Sequence, residues 1–264
     1  MKKYLVIGNP IEHSLSPKLH NFWIKNYNIN AVYNKQKLEE KEIDNFIQQI
    51  KQKKITGSNI TVPFKKVIIS HLDQLSLEAK QTQSVNTIVF KDNNLIGHNT
   101  DIGGFTKAIK NINYDMKGKK IFILGAGGVV SSIIFALKKM EVSEIIITNR
   151  TKQKANNLKN QFNILKVLDW GSIPEFDVVI NATSLGLNNE IINLDFSNVG
   201  NGKLFYDVIY NPKETHFLKI GKKLGNKVEN GKLMFVYQAS EAFKLWHEVE
   251  PEINNKTLKL LDND

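Results

Sequence analysis

Lys120-Ile121-Phe122-Ile123-Leu124 runs directly into Gly125-Ala126-Gly127-Gly128, and a helical pattern from Val129 to Met140 follows. A short, almost wholly apolar run has the character of a strand buried on both faces. Glycines at its end let the backbone approach a phosphate closely, and the following helix N-terminus offers unpaired N–H groups with a positive dipole end. The order strand, glycine turn, helix therefore points to a dinucleotide site. Gly125 and Gly127 match the first two glycines of G-x-G-x-x-G, but Val130 holds the third position and the extra glycine stands at Gly128. On this motif alone, a tight strand-to-helix turn with no ligand stays open.

One strand further on, Glu144 to Thr148 ends in Thr148-Asn149-Arg150-Thr151. A domain specific for NAD carries an acidic residue here for the ribose 2′-hydroxyl. This chain has none. Arg150 can pair with a 2′-phosphate in bidentate fashion or lie on the adenine face, and Lys154 adds a second cation one helical turn later. The reading is NADP; the alternative is an ordinary exposed basic helix start.

Strand-like and helix-like segments alternate through the rest of the chain, the pattern of an α/β protein with largely parallel sheets. Strands are expected near Tyr4 to Ile7, Ala31 to Lys35, Ile55 to Ile60 and Thr87 to Phe90, then at Asp177 to Asn181 and Leu204 to Ile209. Helices are expected near Pro17 to Tyr27, Glu39 to Gln52 and Pro63 to His71, with two more at Lys232 to Trp246 and Asn255 to Leu261. Asp92-Asn93-Asn94 reads as a hairpin turn, and Asp115-Met116-Lys117-Gly118 as a polar break.

With 264 residues, 41% of them hydrophobic, the chain can bury a large core and divides most naturally into two domains. Its net charge is +10, from 36 basic and 26 acidic residues, which raises nucleic acid as a partner. The lysines are scattered, however, with no interleaved aromatic platform and no metal-ligand spacing, so neither nucleic acid nor a metal is expected. A small anionic substrate would still gain from the field. The chain has no cysteine and no apolar run long enough for a membrane helix. The apolar stretch after Met1-Lys2-Lys3 is too short for a signal peptide, so a cytoplasmic protein fits best.

The first part carries polar residues at element ends. Gly8-Asn9-Pro10-Ile11-Glu12-His13-Ser14-Leu15-Ser16-Pro17 sets two hydroxyls before a helix N-terminus, a natural seat for a carboxylate. Ser16-Pro17 is equally an ordinary cap and first-turn pair. In Gly57-Ser58-Asn59-Ile60-Thr61-Val62-Pro63-Phe64-Lys65-Lys66, the period of two puts Asn59 and Thr61 on one side of a strand end. Lys65 then falls in the first turn of the expected helix, where the dipole disfavours it and a structural role is poorly motivated. Ser84-Val85-Asn86-Thr87 and Asn99-Thr100-Asp101 add an amide and a carboxylate, although Asp101 alone reads as an N-cap.

Taken in order, GNPIEHSLSP, SNITVPFK, SVNT, NTD, GAGG, NRT, NATSLG, YDVIYNP and GKLMFVYQASEAFKLW resemble the shikimate dehydrogenase family from residue 8 to residue 246. The resemblance implies two α/β domains, an N-terminal substrate domain and a Rossmann-type NADP-binding domain, with the catalytic cleft between them. The expected bounds are 1–101, rejoined by the helices of 237–264, and 102–236. It also implies that Ser14 and Ser16, helped by Tyr210, hold the substrate carboxylate. Asn59, Thr61, Asn86, Asp101 and Gln238 would meet the ring hydroxyls, and Lys65 with Asp101 would form the catalytic acid-base pair. The cofactor would be lined by Gly125, Ala126, Gly127, Gly128, Val129, Asn149, Arg150, Thr151, Lys154, Thr183, Val208 and Gly231. The glycine helix departs from the family's pattern, with Val129-Val130-Ser131 where small residues followed by arginine are common.

The implied activity is NADPH-dependent, reversible reduction of 3-dehydroshikimate to shikimate, by a monomer or homodimer without nucleic-acid or membrane partners. A relative acting on quinate with NAD is the nearest alternative, which Arg150 and the absent acid disfavour. A non-catalytic metabolite-binding module is a second, and the presence of both Lys65 and Asp101 speaks against it.

Overall fold

The computed structural model describes residues 1–188 and 190–262. The chain falls into two compact units, residues 1–105 together with the segment from Val236 onward, and Thr106–Phe235.

The first unit is built on a six-stranded sheet of β1 (Lys2–Gly8), β2 (Ala31–Lys37), β3 (Gly57–Ile60), β4 (Gln74–Leu75), β5 (Thr87–Lys91) and β6 (Asn94–His98), in the order β2-β1-β3-β5-β6-β4. β1 is parallel to β2 and β3, and β4 to β6, whereas β3-β5 and β5-β6 are antiparallel. The sheet is thus mixed, not largely parallel. The local cause is the turn: Lys91 pairs with Asn94, leaving Asp92 and Asn93 as a two-residue loop with φ of 51° and 62°. Left-handed backbone at both loop positions is the geometry that folds a strand back on its predecessor, and Asn and Asp tolerate it.

Helices α1 (Ser16–Asn26), α2 (Ile43–Lys51) and α3 (Leu77–Thr82) belong to this unit, and α4 (Asp101–Asn111) begins in it. In α2 the buried residues Ile43, Phe46, Ile47 and Ile50 recur at the spacing of one helix face. They join Leu5, Ile7, Ile60, Phe64 and Ile88 in one apolar core. The expected α-helix at 63–71 is instead a turn followed by a 3-10 helix, Val67–His71. Lys65 therefore stands ahead of that helix, and the dipole argument made for it does not apply.

The second unit carries a six-stranded, all-parallel sheet of β7 (Lys120–Leu124), β8 (Glu144–Thr148), β9 (Leu165–Leu168), β10 (Val178–Asn181), β11 (Leu204–Asp207) and β12 (Lys227–Glu229). Its order is β12-β11-β10-β7-β8-β9. The chain lays strands outward from β7 in one direction, then returns to β10 and lays three in the other. In such sheets ligands bind at the carboxyl ends of the strands where the direction reverses. Here that point lies between β7 and β10, where Leu124 pairs with Asn181, so the glycine turn and the segment after Asn181 leave side by side.

Helices α5 (Val130–Lys139), α6 (Lys152–Gln161) and α7 (His216–Lys223) connect these strands. The sheet residues Phe122, Val179 and Phe205 pack with Phe196, Phe217 and Leu218 in the core. Helix α8 (Lys232–His247) starts in the second unit and from Val236 belongs to the first, where α9 (Asn255–Leu260) follows. Trp246 of α8 donates its indole N–H to the Ile88 carbonyl at 3.0 Å. Its nitrogen would lie 2.6 Å from a Cβ on Gly57, so this tie to the sheet needs glycine there.

Candidate active site

In the first unit Lys65 Nζ lies 2.5 Å from Asp101 Oδ2, with the two side chains only 12% and 7% exposed. The two residues reach this point from different elements: the turn after β3 holds Lys65, and Asp101 opens α4. Asp101 is not the cap of that helix. Asn99 takes the duty, its Oδ1 accepting from the N–H groups of Asp101 at 3.1 Å and Ile102 at 3.4 Å. The Asp101 carboxylate is thereby left for Lys65 and for Asn86, whose amide donates to Oδ1 at 2.9 Å. A nearly buried charge pair holds only while both partners are present, since removing one strands the other at a cost of about 3–5 kcal/mol.

The residues around the pair form one network. Asn86 Oδ1 accepts from the Thr100 N–H at 2.8 Å and from the Thr87 hydroxyl at 3.1 Å. Asn86 Nδ2 also donates to Thr100 Oγ1 at 2.9 Å and makes a long contact of 3.5 Å to Gln238 Oε1. Asn59 is buried, gives both amide hydrogens to the Asn86 carbonyl and to Thr87 Oγ1, and accepts from Tyr33 at 2.6 Å. Its free hydrogen-bonding capacity is thus a lone pair on Oδ1. Thr61 is half-buried where the chain leaves β3, and its methyl would lie 2.4 Å from a Cβ on Gly8.

Ser16 is the first residue of α1 and is buried; the half-buried Ser14 accepts from the Ser16 N–H at 3.4 Å. Leu15 holds the N-cap position of α1, so Ser16 does not act as the cap. Tyr210 belongs to the second unit, where its ring stacks on Phe235 at 4.4 Å.

The other sequence-derived positions gather at the carboxyl end of the second sheet. Gly125 has φ +108°, and a Cβ there would lie 2.8 Å from the Ala182 carbonyl oxygen, so only glycine fits where β7 ends. Gly127 and Gly128 are exposed, and a Cβ on Gly127 would meet nothing nearer than 3.8 Å. No side chain caps α5 at Val129. Asn149 Oδ1 accepts from the Ala126 N–H at 3.1 Å and its amide donates to the Thr151 carbonyl, tying the end of β8 to the glycine turn. Arg150, Thr151 and Lys154 are exposed, and no carboxylate stands in the Thr148-to-Thr151 segment. An open glycine turn, an uncapped helix and free cations beyond the neighbouring strand fit a phosphorylated dinucleotide.

Thr183 and Val208 follow β10 and β11, and a buried carboxylate joins the two segments. Asp207 accepts from Thr215 at 2.5 Å, from Asn181 at 3.0 Å and from the Ile209 N–H at 3.0 Å. Asn181 Oδ1 in turn accepts from the Thr183 N–H and hydroxyl. Burial pushes the Asp207 carboxyl up to about 6, against the pull of those three donors. Gly231 approaches so closely that a Cβ would lie 1.9 Å from the Val208 carbonyl oxygen, and its N–H donates to Ile209.

Sequence reading missed Asn99, Thr87, Thr100, Asn181, Asp207 and Thr215 as organising groups. All but Thr215 lie inside or beside the motifs quoted above, but the bonds from Asn59 to Thr87, Asn86 to Thr100 and Asn181 to Asp207 join separate segments, which spacing along one segment does not reveal.

The second unit's topology, with a glycine turn where strand order reverses, defines a Rossmann-type dinucleotide-binding domain joined to a mixed-sheet domain that holds a buried lysine-carboxylate pair. Comparison with known proteins gives the family. Residues 6–88 match the shikimate dehydrogenase substrate binding domain, and residues 107–201 match shikimate / quinate 5-dehydrogenase. The NADP(+) shikimate dehydrogenase of Pelagibacter ubique is 55% identical over 262 residues, covering 99% of each chain. The crystal structure of shikimate dehydrogenase from Aquifex aeolicus superposes with a TM-score of 0.91 at 35% identity, covering 100% of this chain and 98% of that one. The Thermus thermophilus shikimate 5-dehydrogenase in complex with NADP(H) and shikimate gives 0.91 at 30% identity and 99% coverage of both chains. The chain belongs to the shikimate dehydrogenase family.

Proposed function

We propose that the chain catalyses the reversible, NADPH-dependent reduction of 3-dehydroshikimate to shikimate, a step in making chorismate and the aromatic amino acids. The observation that carries this reading is the Lys65–Asp101 pair, nearly buried and backed by Asn86 in a family whose relatives bear that activity in their names.

Ser14 and Ser16, with the Tyr210 hydroxyl, hold the substrate carboxylate. Thr61 and Gln238 meet ring hydroxyls, Asn59 joins them through its free lone pair, and Asn86 by exchanging its long contact with Gln238. When bound, NADPH supplies a hydride to the carbonyl carbon. Negative charge grows on the carbonyl oxygen, and the Lys65 ammonium stabilises it and transfers a proton, leaving a neutral amine that regains its proton from solvent. Asp101 binds the same hydroxyl and keeps the Lys65 Nζ aimed at it. In the oxidation direction Lys65 takes the proton back.

Gly125 to Val129 would hold the pyrophosphate and Asn149 to Lys154 the adenosine end, with Arg150 for the 2′-phosphate, and Thr183, Val208 and Gly231 would line the rest of the cofactor. The same reading makes residues 1–101 and 237–264 the substrate domain and 102–236 the cofactor domain. It also makes the protein a cytoplasmic monomer or homodimer with no nucleic-acid partner. Among the described residues no helix is long and apolar enough to cross a membrane.

The test is a spectrophotometric assay of the purified protein with shikimate and NADP⁺, run against quinate and NAD⁺. Efficient turnover of shikimate with NADP⁺ is expected; preference for quinate or for NAD⁺ overturns the reading.

A further inference from the structure

Tyr33, on β2, lies outside every motif quoted above and is wholly buried. Three contacts fix it. The Asn21 side chain of α1 bonds its backbone on both sides, at 2.7 and 2.9 Å. The His20 ring lies flat against it at 4.2 Å with 2° between the planes. Its hydroxyl donates to Asn59 Oδ1 at 2.6 Å.

From that hydroxyl the bonds run in one direction. Asn59 Nδ2 donates to Thr87 Oγ1 at 2.9 Å, Thr87 to Asn86 Oδ1 at 3.1 Å, and Asn86 Nδ2 to Asp101 Oδ1 at 2.9 Å. Asp101 Oδ2 receives Lys65. Asn59, Thr87 and Asn86 each accept from one side and donate to the next, and Asp101 closes the chain by accepting from both Asn86 and Lys65, so a donor at the head fixes which way the Asn59 amide faces.

We propose that Tyr33 is a positioning residue for the reduction, the head of a buried hydrogen-bond chain that ends on Asp101. The role rests on the function proposed above. Burial holds the phenol well above its ordinary range, so it stays a donor across the working pH. Without the hydroxyl, Asn59 Oδ1 loses its donor, while Asn86 keeps its bonds from Thr100. The effect therefore falls on substrate holding more than on the chemical step.

Tyr33→Phe is expected to raise the KM for shikimate about tenfold, the size of one hydrogen bond lost beside a bound group, with kcat changed less than about threefold. The KM for NADP⁺ stays at the wild-type value. A purely structural role gives a lower Tm with an unchanged shikimate KM, and that result overturns the proposal. Asn21→Ala loosens Tyr33 from its backbone side and is expected to shift the shikimate KM in the same direction; it decides the matter if Tyr33→Phe does not fold, and an unchanged KM there is equally fatal. Wild-type protein inactive on shikimate defeats the functional reading itself, whereas active wild type beside an unaltered Tyr33→Phe defeats only the role of Tyr33.

Discussion

Lys65 and Asp101 lie 36 residues apart in sequence, yet their charged groups are 2.5 Å apart, and the Asp101 carboxylate is held on its other oxygen by Asn86. The protein's own side chains therefore hold the pair in place. A donor that need not reorganise is worth more to a developing oxyanion than one that must be drawn in.

Replacing Lys65 with Ala removes the group proposed to meet that charge. Turnover should fall by about 10²–10⁴, the usual contribution of a positioned acid or base. Shikimate should still bind, since Ser14, Ser16 and Thr61 remain. Near-normal kcat in the variant would take Lys65 out of the mechanism.

Arg150 is exposed beyond β8 with no acidic residue in the segment. Arg150→Ala should raise the KM for NADPH by about 10- to 100-fold, the value of a charged hydrogen-bonded contact, while the KM for NADH changes little. An equal loss with both cofactors contradicts a contact to the 2′-phosphate.

His20 is buried among Trp23, Tyr33, Phe243 and Trp246, and neither ring nitrogen has a hydrogen-bond partner among the described residues. Burial, reinforced by His247, pushes its pKa down to about 3. The folded protein therefore keeps this imidazole neutral while the unfolded chain takes up a proton below about pH 6.5, so stability is lost as pH falls from there toward 3. His20→Phe keeps the stack and removes the titration. Its Tm relative to wild type should climb steadily between pH 7 and 4, equivalent to about 3 kcal/mol at the lower end. A constant difference would show that His20 does not titrate in this way.

Gly231→Ala would set a methyl group 1.9 Å from the Val208 carbonyl oxygen. Backbone, unlike a flexible side-chain tip, cannot turn aside, so a loss of about 1–3 kcal/mol is expected in chemical denaturation, with a weaker hold on NADP⁺ because Val208 moves. Wild-type stability in this variant would mean that the two segments separate freely.

The second unit was legible because its signals are local. A buried strand, a glycine turn and a helix follow one another within β7 and α5, and the missing acid after Thr148 lies one strand later. The first unit was less so. Proline at position 63 suggested an α-helix, but tertiary contacts shaped a turn there, with Phe64 buried in the core and Lys65 facing Asp101. Asp101 alone resembled a cap until Asn99, two residues earlier, proved to occupy that role. Tyr33 gave no signal at all, because a tyrosine in a strand is ordinary and only its distant partner Asn59 distinguishes it.

Asp207 is sealed inside the second unit with three donors on its two oxygens. Such a carboxylate constrains inheritance as well as structure. A lineage that exchanges Thr215 for valine takes one of three donors from a buried anion, and one that also exchanges Asp207 for an apolar residue leaves the Ile209 N–H and an Asn181 amide hydrogen without that acceptor. Positions 181, 207 and 215 should therefore drift together or not at all, although they lie on separate strands and loops.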